Sequence, residues 1–138
     1  MTLPRPAPIL TITPLGAEER AAVVVPRRFD VLVGRTEHRW DELPPLPPGA
    51  KTVGVGSVAY RLALLANGRG HAVLSGYGRS EWDVAAGVAL CLAAGLRVTD
   101  VLGAPIPLNQ REPFVRGLLM AEPALHEHIR RSFERLRH

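Results

Sequence analysis

Apolar positions recur along the chain in two rhythms, and together they predict strands alternating with helices. Phe29 to Val33 is a compact apolar run closed by Gly34, which predicts a buried strand. Thr52 to Val55 predicts a second strand, ending in Gly56-Ser57. From there Val58, Leu62 and Leu65 recur at helical spacing to about Asn67, with Asn67-Gly68 as the expected C-cap. His71 to Leu74 predicts a third short strand. Val84 to Ala94 carries no charged residue, and Asp83 and Gly95 bound it as the expected N-cap and stop of a helix. A helix that is apolar all round is expected to be buried on more than one side. Arg97 to Thr99 and Phe114 to Met120 predict two more strands. Pro123 suits the first turn of a final helix, with Leu125, Ile129, Phe133 and Leu136 as its apolar stripe and arginines and Glu134 on its wet face.

The segments between are of other kinds. Residues 36–50 hold Pro44, Pro45, Pro47 and Pro48, a loop of polyproline character that no helix can cross. Residues 1–27 read as an extended arm, with Ala21 to Val25 as an edge strand stopped by Pro26, ahead of an α/β domain at 28–138. Alternating strands and helices, one of them wholly apolar, indicate an α/β layered sandwich with a mostly parallel or mixed sheet.

Composition narrows the function classes. The chain has 138 residues, about one domain, and is long enough to bury a core. The net charge of +4 invites a nucleic-acid reading, but the arginines are scattered and aromatics make up only 5%, too few for base-stacking platforms. The single cysteine, Cys91, excludes an internal disulfide and a cysteine-rich zinc site, and its apolar setting predicts a small buried hydrophobe. No signal-peptide pattern is visible in Met1 to Pro8, and the uncharged stretch at 84–96 is shorter than the ~20 residues that span a bilayer. The expected location is the cytoplasm.

Two strand-to-helix junctions carry the candidate chemistry. At Gly56-Ser57-Val58 a glycine lets a ligand approach the backbone, and a helix start attracts an anion; taken alone, the same residues read first as a tight turn with a serine cap. At Ser80-Glu81-Trp82-Asp83, Asp83 is a helix cap, a metal ligand or both, and Trp82 is expected in the core. His126 and His128 are two apart and share no helix face for a metal. His71 has no acidic neighbour, and neither Ser57 nor Ser75 has a His–Asp partner in evidence.

Gly56-Ser57-Val58-Ala59-Tyr60, then Glu81-Trp82-Asp83-Val84-Ala85-Ala86-Gly87, then Ala94-Gly95, Val98-Thr99-Asp100, Gly103 and Pro105 stand in a recognisable order. From about Arg28 to Phe133 the chain resembles the C-terminal half of the inositol monophosphatase family. That family includes inositol monophosphatases, fructose-1,6-bisphosphatases and 3′(2′),5′-bisphosphate nucleotidases. The resemblance implies the family's C-terminal α/β fold and hydrolysis of a phosphomonoester with two or three Mg²⁺ ions. It implies Asp83 as a metal ligand, Gly56, Ser57 and Val58 as backbone donors to the substrate, and Arg79 as a partner for a substrate anion.

The family's other metal ligands come from an upstream Glu-Glu pair and an Asp-Pro-x-Asp-Gly-Thr segment. This sequence has no such segment, and Glu18-Glu19 is followed by no paired aspartates. One carboxylate is a poor site for Mg²⁺, which sheds water reluctantly. Activity is therefore expected only when a separately encoded N-terminal half completes the site; a homo-oligomer is the other partner considered, and a truncated reading frame of a phosphatase, inactive by itself, is a further reading. A non-catalytic remnant or regulatory module that binds a phosphorylated metabolite is the alternative. The carboxylate that inositol-specific members place ahead of the Trp-Asp pair is replaced by Gly76 and Tyr77, which argues against inositol as the substrate.

Overall fold

The structure is a computed structural model, and it describes residues 25–40 and 43–134. The expected arm, most of the Ala21–Val25 strand, Glu18-Glu19 and Leu136 lie outside the described residues. Five strands form one mixed sheet: β1 (Phe29–Val33), β2 (Ala50–Gly54), β3 (Ala72–Ser80), β4 (Arg97–Thr99) and β5 (Phe114–Ala121), in spatial order β2-β1-β3-β5-β4. β1 runs parallel to β2 and β3, while β5 runs antiparallel to β3 and β4. Helices α1 (Arg35–Trp40), α2 (Val58–Ala66), α3 (Glu81–Ala93) and α4 (Pro123–Glu134) complete the layers.

The alternation of strand side chains divides the core in two. Phe29, Val31 and Val33 of β1 face Leu125 and Ile129 of α4, together with Ala72, Leu74, Leu119 and Ala121. Leu32 points the other way, with Val73, Leu118 and Met120, toward Leu62 of α2 and Val84, Val88 and Cys91 of α3. A sheet covered on both faces is the arrangement expected of an α/β layer.

Three expectations need correction. The proline-rich stretch does not exclude a helix from its beginning: α1 forms over 35–40, ahead of Pro44. β3 runs on to Ser80 because a bulge absorbs its glycines. Ser75 pairs with Leu118 and Gly78 with Arg116, so Gly76 and Tyr77 stand opposite Gly117 alone, at φ 89°. And α3 is not buried on all sides. Val84, Gly87, Val88 and Cys91 form its inner stripe, while Ala86, Ala89, Leu92 and Ala93 are exposed and Trp82 is 73% exposed. Only one layer of helices covers this face of the sheet, so half of an uncharged helix meets solvent.

Gly87 is the residue that lets α3 lie against α2. A Cβ there would stand 2.6 Å from the Cβ of Leu62. No described helix is long and apolar enough to cross a membrane.

Candidate functional site

Because β1, β2 and β3 are parallel, the turns that follow them open at one edge of the sheet. The connection from β1 to β2 passes over the face of Leu43 and Leu46, whereas α2, after β2, covers the opposite face. The chain thus departs from neighbouring strands β1 and β3 to opposite faces, which opens a crevice at their carboxyl ends. Ligands of open α/β sheets gather at such a point. A cleft of about 330 Å³ lies there, lined by the Gly34–Glu37 turn, Gly56 and Ser57, Arg61 of α2 and Arg79 of β3.

Each wall has a local cause. Ser57 takes a left-handed conformation, φ 62° and ψ 114°, uncommon for a residue with a side chain. Its hydroxyl accepts a long bond from the Tyr60 N–H at 3.4 Å, so it is the N-cap of α2. Arg35 lies beside Gly56, where a Cβ would stand 3.5 Å from Arg35 Nε. Glu37, in the first turn of α1, is buried and reaches across the crevice. Its Oε2 accepts from the Gly76 N–H at 2.9 Å, at the bulge in β3, and its Oε1 has no partner.

Arg61 is buried as deeply, at 1% exposure. Its Nη1 donates to the Val55 carbonyl at 2.7 Å, while Nε and Nη2 have no partner, nor has the buried Nε of Arg79. Burial, then the charge of Arg79, lower the Arg61 pKa from its ordinary value, and Glu37 opposes them.

Of the residues expected at the site, Gly56, Ser57 and Arg79 come together in the cleft. Val58 does not: its side chain belongs to the core beside Leu62, so only its backbone is left for a ligand. Asp83 is not the N-cap of α3. The helix begins two residues earlier, at Glu81 after Ser80, and Asp83 is an exposed carboxylate in its first turn. Glu81 is buried and holds the loop before β5. It accepts from the N–H groups of Asn109 and Gln110 at 2.8 and 3.1 Å and from the Gln110 side chain at 3.2 Å. Desolvation alone raises its pKa, but the donors of Gln110 and Asn109 together outweigh it and hold the carboxyl below its ordinary value. Asp100 braces its turn through Oδ1, which accepts from Leu102 and Ala104 N–H.

Sequence reasoning missed Glu37 and Arg61. Arg61 had a signal, an arginine within the apolar stripe Val58, Leu62, Leu65; Glu37 had none, in a polar segment read as loop.

A metal does not fit the described residues by themselves. Among them no three His, Cys, Asp or Glu side chains, Asp83 included, form a group that could hold a metal ion.

The sequence of residues 22–138 matches the inositol monophosphatase family. The chain belongs to that family. A 3′-phosphoadenosine 5′-phosphate phosphatase of Mycobacterium bovis is 35% identical over 68 residues, 49% of this chain and 26% of its own length. A staphylococcal inositol monophosphatase II superposes with a TM-score of 0.67 at 17% identity, over 94% of this chain and 50% of that one. A Pyrococcus horikoshii protein with similarities to inositol-1 monophosphatase gives 0.60 at 24% identity, over 80% of this chain and 44% of that one. The solved structures therefore share the mixed α/β fold, and the chain spans half or less of the length of the relatives it matches.

Proposed function

We propose that the chain is the substrate-holding part of a magnesium-dependent phosphomonoesterase. The start of α2 at Gly56, Ser57 and the Val58 backbone, with Arg79, receives the phosphorylated metabolite, and Asp83 contributes one carboxylate to a metal site. The remaining carboxylates come from outside the described residues, on a polypeptide carrying the Glu-Glu and Asp-Pro-x-Asp-Gly-Thr segments. The observation that carries this reading is the arginine-lined cleft at the carboxyl edge of the sheet, in a chain of this family. The likeness to a 3′-phosphoadenosine 5′-phosphate phosphatase supports a nucleotide phosphate as the substrate, and staphylococcal neighbours solved with inositol monophosphate and with 2′AMP bound support a phosphomonoester more broadly. Held by Asp83 together with those carboxylates, magnesium would supply Lewis-acid activation of water and phosphate.

The test is Mg²⁺-dependent phosphate release from 3′-phosphoadenosine 5′-phosphate and inositol monophosphate. The purified chain is assayed alone and with a polypeptide carrying the two acidic segments. Release is expected from the pair only, and Asp83→Asn in the pair is expected to bring it to background. The same change should alter the stability of the lone chain by less than about 1 kcal/mol, the scale of an exposed carboxylate at a helix start. Robust release by the lone, homogeneous chain would overturn the reading. The second reading, a non-catalytic module that binds a phosphorylated ligand, is favoured by the lack of a converging metal-ligand group among the described residues. It predicts binding without release in every combination.

A further inference from the structure

α2 and α3 lie side by side on one face of the sheet and show solvent almost no charge. Their charged residues are Arg61, Glu81 and Asp83, and the first two are buried. Val84, Val88 and Cys91 turn α3 toward the sheet. Trp82, Ala86, Ala89 and Ala93 recur at i, i+4, i+7 and i+11 on its opposite side, all exposed. In α2 the inner stripe is Val58, Leu62 and Leu65, while Ala59, Tyr60 and Ala63 are exposed. The close approach of Gly87 to Leu62 joins the two outer sides into one surface. Helices of 9 and 13 residues are about 14 and 20 Å long, so this surface is on the order of a few hundred Å². An uncharged surface of that size on a soluble protein marks an interaction site. The other side of the sheet differs. There α4 has an ordinary wet side, on which Glu127 pairs with Arg130 and Arg131, and Arg130 with Glu134. One helical layer is thus built for water, and the other has the composition of a layer that something covers.

Resting on the function proposed above, we infer that the outer side of α2 and α3 is a docking surface for the second polypeptide, the one carrying the two acidic segments, which seats an apolar face of its own there. Two observations select this occupant. In the staphylococcal and Pyrococcus horikoshii structures the shared fold makes up 50% and 44% of the chain, so at least as much again lies outside it. And Asp83 stands beside Trp82 at one end of the exposed stripe, so a partner seated on the stripe arrives next to the carboxylate whose metal site it completes. The alanines leave a flat surface that another layer can approach closely. Trp82, 73% exposed, is the anchor, because a large aromatic ring gains most from leaving water at an interface. A charged face on the partner would set its charges against apolar atoms with nothing to pair them.

The experiment is calorimetric titration of the full chain with the polypeptide of the release assay, without metal or substrate, alongside sedimentation velocity of each. Binding is expected. Ala89→Glu and Ala63→Glu each place a carboxylate within the surface, and each is expected to weaken binding at least about tenfold. Both positions are exposed, so the urea midpoint of the lone chain should hold; should one variant shift it, the other carries the test. Arg131→Glu, on the wet side of α4, is expected to leave binding within about twofold. Binding that ignores both alanine substitutions, an equal loss with Arg131→Glu, or no binding at all overturns the inference. So does a lone chain that pairs with itself through α2 and α3 and does not bind the polypeptide. Asp83→Asn is expected to stop phosphate release while association stays within about threefold. A pair that associates through this surface yet releases no phosphate refutes the proposed activity and leaves the interface standing.

Discussion

Gly87→Ala adds one methyl group at the place where α2 and α3 touch. The new Cβ would lie 2.4 Å from Leu62 Cδ1, 2.6 Å from Leu62 Cβ and 3.0 Å from Leu62 Cγ. A rotamer change moves the first of these atoms but not the second, which is fixed to the α2 backbone. Ordinary carbon contacts are about 3.5–4.0 Å, so the helices must part by roughly 1 Å. Leu62 is fully buried among Val58, Leu65, Val84 and Val88, and the strain spreads into that core. Overpacking of this kind costs about 1–3 kcal/mol, and a rigid backbone contact belongs at the upper end. Alanine returns about 0.8–1.0 kcal/mol through its helix propensity. The expected net loss is about 2 kcal/mol, read as a lower urea midpoint at unchanged slope. In a Leu62→Gly background that Cβ is gone and the methyl has room, so the two changes together should cost less than their sum by at least about 1 kcal/mol. If Gly87→Ala is neutral or stabilising, or if the two costs simply add, the close packing of α2 on α3 is not as described.

Acid should weaken the fold through His126. Thr99 Oγ1 donates to the Asp100 carbonyl at 2.7 Å and so accepts from His126 Nε2 at 2.7 Å, which leaves a buried, bare Nδ1 with no acceptor for a second proton. Burial first, then Arg97 and Arg130 with Glu127 opposing, push its pKa down from 6.5 to about 4. The unfolded chain takes up the proton below its ordinary value and the folded chain refuses it until about 4, so stability is full above pH 7 and falls between them, by about 3 kcal/mol in all. Urea midpoints across pH 4–7 check this, and a His126→Gln chain as steep as the parent would refute it. Glu81→Gln should release the 109–110 loop, seen as faster hydrogen exchange at the Asn109 and Gln110 amides. Since the folded carboxyl is held below its ordinary value, the parent's protection is present above the unfolded pKa and lost as pH falls through the folded one; exchange indifferent to both changes would refute the staple.

What could be read from the sequence follows where the local rules hold. β1 is compactly apolar because both its faces are covered, and its limits are as expected. The stripe of α4 was legible because one face meets the sheet and the other carries Glu127 and Arg130, paired at 2.7 Å. The start of α3 was misplaced because Asp83 looks like a cap, whereas Ser80 occupies that position with no side-chain bond to the helix. An uncharged helix looks buried all round, but small alanines on a face tolerate water, and no pattern within α3 records how many layers lie outside it. β3 was read as ending near Leu74 because Gly76 and Gly78 break a strand pattern; both are absorbed by the bulge and by Phe114, whose ring occupies the space above Gly78.

The failures at the cleft have a common form. A glutamate and an arginine are fully buried, a serine holds a left-handed conformation, and a strand breaks its register at a glycine whose N–H is taken by that glutamate. Each is a local choice that works against stability, so each must be compensated by its neighbours or by a ligand. Elsewhere the buried polar groups are mostly explained within the fold: Glu81 staples a loop, and Thr99 takes the proton of His126. At the cleft the compensation is incomplete. Glu37 secures β3 to α1 and Arg61 secures α2 to the end of β2, yet each keeps buried atoms without a partner beside the cleft. Structural bracing accounts for one bond of each, and not for the unused acceptor of Glu37 or the unused donors of Arg61. Those atoms, with Arg35 and Arg79 beside them, support the crevice between β1 and β3, rather than the exposed Asp83 alone, as the substrate site proposed above.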